Sequence, residues 1–266
     1  MNRKQEKQVS KEGIMMRSIR YNMVSIDNQF ISMMEQVKKN FQIIDLSYTL
    51  EENMPVWPTH PRYGAVVYET YEQGGTSMHR MITIGEHSGT HIDSPKHFIA
   101  GGRGVDELDI TSVMGRGVVL HAEHITPKGV LTLKEIKEFE EKYGEIQKGD
   151  IVIIRFGWEE KYALGREGEE FLADWPGLSE EGAKYFLDKE VLAVGCDTLS
   201  LDAFGVKEYV CHEILLGNNI PIIENMCNLK KLPPVTYVIG LASKFKGGSG
   251  SPIRITAFVE PDKKGV

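Results

Sequence analysis

The segment HSGTHIDSPKH at positions 87–97 places His87, His91, Asp93 and His97 within eleven residues. Imidazole nitrogen and carboxylate oxygen are the ligands that zinc, manganese and related divalent ions take from proteins. Any one histidine could sit in a core or on a surface, but the whole chain holds only eight. Four donors so close together point to a bound cation and to hydrolytic chemistry. The zincin pattern HExxH is absent, because Ser88, Gly89 and Thr90 separate His87 from His91. Side chains alternate along an extended chain. An extended course from 87 to 93 would therefore put His87, Gly89, His91 and Asp93 on one face, with Gly89 leaving room for an ion or substrate. Thr90 and Ile92 would anchor the other face. Pro95 interrupts strand bonding, so His97 is expected to curl back over the site.

Two further residues are candidates to complete the set. His212 lies in an expected helix at 206–217, and Glu224 ends an expected strand at 220–225. A buried carboxylate needs a partner, and strand ends often face a cleft in α/β proteins; solvation at the surface is the alternative for both. Trp57 and Phe98 could wall a flat substrate or pack in the core. His60 and Tyr63 share the early loop with Trp57. Asp197 and Asp202 are expected to stabilise a turn or support the cleft rather than to form a glycosidase pair. Arg155 is expected to pair with a carboxylate. The GGSGS loop at 247–251 matches neither a nucleophile elbow nor a phosphate loop. It reads as a chain reversal, with backbone donors for a substrate carboxylate as the alternative. Cys196, Cys211 and Cys227 read as small buried apolar groups; a thiolate catalyst is the competing reading.

The rest of the chain must position these groups. At 266 residues it can bury a core without staples. Its 31 basic and 38 acidic residues give a net charge of −7, which offers no support for a nucleic-acid or membrane partner. Three cysteines without a CxxC pair fit a reducing compartment. With no apolar leader or span, the expected address is the cytoplasm. Residues 1–20 read as a polar leader, and 26–39 as a helix packed on the body or on a second subunit. Strands are expected near 43–46, 65–71, 80–86, 117–121, 150–155, 191–195, 235–241 and 252–259, with helices at 132–142 and 179–189. The polar stretch 159–175 reads as a surface excursion.

The pattern HxGTHxDxPxH, met in full at 87–97, is joined by IDLS at 44–47, MPVWP at 54–58, RFGW at 155–158, GCDTLSLD at 195–202 and GSGSPIRITAF at 248–258. Together they resemble the metal-dependent cyclase-like hydrolase family, which includes bacterial kynurenine formamidases and isatin hydrolases. The likeness spans about residues 43–260. It implies a single α/β domain of the swivelling β/β/α type over 41–266, with a curved mixed sheet flanked by helices. Residues 1–40 would be an extension able to take part in a homodimer or homotetramer. The resemblance also implies that His87, His91 and Asp93 hold one ion, zinc first and manganese as the alternative. Asp93 would bridge to a second ion held by His212 and Glu224, so one or two ions are expected. His97 would be the catalytic histidine, a proton shuttle rather than a primary ligand. The implied activity is amide hydrolysis by metal-activated water, with N-formylkynurenine or a similar N-formyl arylamine first. Isatin, another cyclic amide or a lactone is the alternative substrate, and a non-enzymatic metal-binding protein the alternative role. Trp57 and Phe98 would contact the aromatic substrate.

Overall fold

The computed structural model describes residues 29–261. Contacts divide the chain into residues 1–40 and 41–266. In the first unit the described element is α1 (Gln29–Asn40), whose last turn carries Lys38 and Lys39 where the helix dipole favours cations. The expected leader at 1–20 lies outside the described residues.

The larger unit is built on strands β1 (Gln42–Asp45), β2 (Gly64–Glu69), β3 (His79–Thr83), β4 (His91–Asp93), β5 (Met114–His121) and β6 (Val130–Leu131). These are followed by β7 (Ile151–Arg155), β8 (Gly177–Leu178), β9 (Ala193–Cys196), β10 (Ile222–Glu224), β11 (Val235–Ala242) and β12 (Gly250–Val259). Helices α2 (Leu133–Tyr143), α3 (Glu180–Asp188) and α4 (Val210–Gly217) flank them. Strands β5, β7, β9 and β10 run parallel in that order. Antiparallel β11 and β12 extend the β5 side, and β1 lies outside β12. Strand β4 pairs antiparallel with both β10 and β12, so the mixed sheet closes on itself through the histidine segment.

Period-two alternation sorts the apolar residues onto the two faces. Ile92, Val119, Ile151, Ile153, Ile223 and Ile255 pack on the enclosed face. Val118, Leu120, Val152, Ile154, Val194 and Ile222 pack on the outer face against Ile136, Phe186 and Leu215 of the three helices. Thr132 and Glu135 form a capping box at α2, and Ser179 caps α3.

Three expectations need correction. Helix α4 starts at Val210 rather than at 206, because Tyr209 offers no capping side chain and the Asp202 carboxylate accepts the N–H groups of Cys211 and His212 instead. The strand expected at 80–86 ends at Thr83. The segment 159–175 is more than a surface excursion: residues 164–167 are exposed, but Phe171 and Trp175 are buried, as is Trp158 just ahead of it. Both tryptophan N–H groups are satisfied internally, by Phe171 O and Asp202 O. Three aromatic rings, widely spaced among charged residues, leave no periodic signal yet bury enough surface to tie the segment down.

Candidate metal centre

Strand β4 sends Ile92 into the enclosed core and turns His91 and Asp93 outward, all three buried. In the antiparallel register with β10, Glu224 lies opposite His91, and directly opposed residues share a face. His91 Nε2 is 3.4 Å from both Asp93 Oδ1 and Glu224 Oε2. Helix α4 packs over the same face and delivers His212, whose Nε2 is 3.1 Å from Glu224 Oε1 and 3.5 Å from Asp93 Oδ2.

The opposite ring nitrogens show how these imidazoles are oriented. His91 Nδ1 lies 2.9 Å from the Gly89 carbonyl oxygen, and His212 Nδ1 lies 2.6 Å from Asp202 Oδ2. Carbonyl and carboxylate oxygens only accept, so both Nδ1 atoms carry protons and both Nε2 lone pairs face the carboxylates. Such outer partners orient the histidines of metal sites. Asp93 Oδ2 is fully buried and has no hydrogen-bond partner. Lone pairs and carboxylates that converge in a buried space call for a cation. Burial opposes charge on all four groups. Without a cation their mutual contacts hold His91 and His212 above the ordinary imidazole range, a proton on Nε2 then filling the place that a cation would take, and hold Asp93 and Glu224 below the ordinary carboxylate range. Among the described residues, two donor triplets could hold a divalent ion: His91, Asp93 and Glu224, and His87, Asp93 and His97. Asp93 is common to both.

His97 enters through a short 3-10 turn begun by Pro95. Its ring stacks on His87 at 3.9 Å between centroids, with 25° between planes. Burial pushes its pKa down to about 4, so the imidazole is neutral near pH 7. The extended course expected from position 87 does not occur, since Gly89 has φ +60° and the strand begins only at His91. Nor does Gly89 make room for an ion: a Cβ there would lie 2.6 Å from Leu50 Cδ2. Glycine is called for by the left-handed turn, φ +60°. Thr90 and Ile92 do anchor the segment, Thr90 through the Asn225 carbonyl and Tyr48 N–H and Ile92 in the core.

A cavity of about 220 Å³ opens onto these donors, lined further by Trp57, His60, Phe98, Leu199, Ser200 and Tyr209. Trp57 meets Tyr209 and Trp175 edge-on, at 6.3 and 5.7 Å. Phe98 lies 5.4 Å from Tyr209 and 4.7 Å from His212. Trp57 and Phe98 line the cavity and also pack against the core. His60 lines the cavity and Tyr63 does not; no lysine or arginine is among the lining residues. Sequence reasoning missed Tyr209, Leu199 and Ser200. Tyr209 stands three positions before His212, and that spacing was the one available hint.

The remaining candidates fall outside the cavity. Asp197 accepts the N–H groups of Phe156 and Glu159, and burial pushes its pKa up to about 7. Arg155 pairs with Glu123, Glu159 and Glu160. In the glycine-rich loop the N–H groups of Gly247 and Ser249 are taken by Asp106 and Glu86, so that loop is a braced chain reversal and not an anion cradle. All three cysteines are free and buried, and burial raises their thiol pKa values. No helix among the described residues is long and apolar enough to cross a membrane.

The family model described as Cyclase matches residues 44–203. An isatin hydrolase of Roseibium aggregatum is 28% identical over 82% of this chain and 92% of its own length. A kynurenine formamidase of Bacillus cereus is 27% identical over 84% of this chain and 99% of its own. Among solved structures, isatin hydrolase A from Labrenzia aggregata bound to benzyl benzoate superposes with a TM-score of 0.78 at 26% identity, over 88% of this chain and 99% of that one.

Proposed function

We propose that this chain, which belongs to the Cyclase family, is a divalent-metal-dependent hydrolase of compact aromatic cyclic amides of the isatin type. The observation that carries this reading is the cavity itself. Its floor holds the metal-capable donors, its walls are the rings of Trp57, Phe98 and Tyr209, and no lysine or arginine lines it. Those walls suit a flat, uncharged ring system and offer no lysine or arginine to pair with the carboxylate of an amino-acid substrate.

In this reading His91, Asp93, His212 and Glu224 hold one ion, and His87 with Asp93 contributes to a second. Zinc is the first choice and manganese the alternative. A bound divalent ion supplies Lewis-acid chemistry, polarising the amide carbonyl and lowering the pKa of water. Gly89 and Asp202 keep the His91 and His212 lone pairs pointed inward. His97, neutral near pH 7, takes a proton at a ring nitrogen and returns it to the departing amide nitrogen. The aromatic walls hold the substrate plane and exclude bulk water. Ring opening adds one water across the C–N bond and leaves a carboxylate and an aryl amine in the same product.

N-formyl arylamine hydrolysis is the second reading, supported by the formamidase relatives that this chain matches over nearly their whole length. We also propose a homo-oligomer, with residues 1–40 as an extension to the catalytic domain. The exposed apolar residues Val66, Val67, Tyr68, Met81 and Ile82 on the β2–β3 hairpin support it, and sedimentation as a monomer would exclude it. The deciding experiment compares initial rates on isatin and N-formylkynurenine after loading with zinc or manganese. Saturable isatin opening that a chelator abolishes is the expected result. Faster N-formylkynurenine turnover would select the second reading, and no turnover of either compound would sink both.

A further inference from the structure

His87 is held differently from the other imidazoles of the site. Its Nε2 lies 2.9 Å from Ser249 Oγ, which in turn lies 2.7 Å from Glu86 Oε2. The same carboxylate oxygen accepts the Ser249 backbone N–H at 2.9 Å. With Oε2 already placed as an acceptor there, it accepts the Ser249 hydroxyl as well, so the hydroxyl proton is committed to Glu86. Ser249 Oγ is then left to accept from His87. His87 Nε2 therefore carries a proton, while Nδ1 lies 2.6 Å from Asp93 Oδ1, a contact that a proton bridges when no cation is bound and that a cation would take over.

The ring plane is set by the same loop. His97 stacks on His87, and a Cβ on Gly250 would lie 2.5 Å from His87 Cε1 and 2.9 Å from Nδ1. Only glycine at 250 lets the backbone come this close. Glu86, Ser249 and Gly250 thus form a slot that fixes the tautomer of His87 and the position of its ring.

We infer that Glu86 and Ser249 are positioning residues, a relay that commits His87 to its Nε2-protonated tautomer and offers Nδ1 as a ligand to a divalent cation beside Asp93. The inference rests on the metal-centre reading above. Neither residue touches the reacting atoms.

The test uses the full chain stripped of metal and titrated with zinc against a chromophoric chelator. The step of interest is the one that His87→Ala removes. Ser249→Ala and Glu86→Ala are expected to weaken that step about 10- to 100-fold, the usual loss when an outer partner of a ligand is removed. Ser249→Thr keeps the hydroxyl and should bind like the wild type. Long-range proton–nitrogen spectra of histidine-labelled wild type should show His87 protonated at Nε2, and they decide the matter even if an alanine variant fails to fold. Unchanged zinc affinity in both alanine variants, or a His87 that carries no proton at Nε2, would overturn the relay. A wild type that binds no zinc or manganese would instead overturn the metal-centre reading.

Discussion

Replacing Asp202 by asparagine is the sharpest probe of how the site is oriented. Asp202 performs two tasks with one carboxylate. It accepts the N–H groups of Cys211 and His212 at the start of α4, at 3.0 and 3.2 Å, and it accepts the His212 Nδ1 proton at 2.6 Å. Asparagine oxygen accepts at a helix start about as well as aspartate oxygen, so the Cys211 part of the first task survives. Its amide oxygen can stay with Cys211, but the amide nitrogen then faces two donors on His212. The ring can relieve that conflict by moving its proton to Nε2, which turns a donor toward Asp93 and Glu224 and removes the inward lone pair. Metal affinity should fall about 10- to 100-fold, equivalent to about 1.4–2.7 kcal/mol. Asp202→Ala should show the same loss plus about 0.5–2 kcal/mol of stability from the missing cap. The assay is zinc titration of the stripped protein against a competing chelator, with thermal melts of each stripped variant. Asparagine that melts like wild type but binds zinc weakly confirms the division of tasks. Zinc affinity within about twofold of wild type, well short of the loss expected for an orienting partner, would refute the role given to Asp202.

Other consequences are open to direct measurement. His97→Ala should cut kcat about 10²- to 10⁴-fold, as expected for loss of a proton-transfer group, while metal content by elemental analysis stays near wild type; a parallel loss of metal would make His97 a ligand. Chelator should abolish turnover and added zinc or manganese restore it, whereas thiol alkylation of the native protein should leave the rate unchanged because all three cysteines are buried. Alkylation that inactivates the native protein would revive the thiolate reading. Gly89→Ala should destabilise the fold by at least about 1–2 kcal/mol from the left-handed backbone alone, with the Leu50 clash in addition; a chemical melt that matches wild type would contradict the strain argument. Trp57→Leu should raise KM for isatin more than it lowers kcat, and the opposite split would remove Trp57 from the substrate wall.

The histidine segment was legible in the sequence because metal-ligand chemistry needs particular atoms, and those atoms stand within eleven residues. His91 and Asp93 share a face for the reason the alternation predicts. The larger strands and helices were legible too, since Ile151–Ile154 is continuously apolar and Thr132 opens a helix with its own capping box. What a linear reading could not supply is the meeting of distant parts. Glu224 becomes a neighbour of His91 only through the β10–β4 register, and His212 only because α4 lies over that face. Gly89 was misread because its left-handed backbone breaks the extended course that the alternation assumed. The segment 159–175 was misread because burial of isolated aromatic rings follows no local period. Charge hid Glu86 as well: a lone acidic residue looks solvated until the glycine-rich loop folds against it. Sequence by itself determined which groups can bind a cation. The tertiary structure decided which lone pairs face one another, because tautomer and orientation are set by partners that register and packing bring from far along the chain.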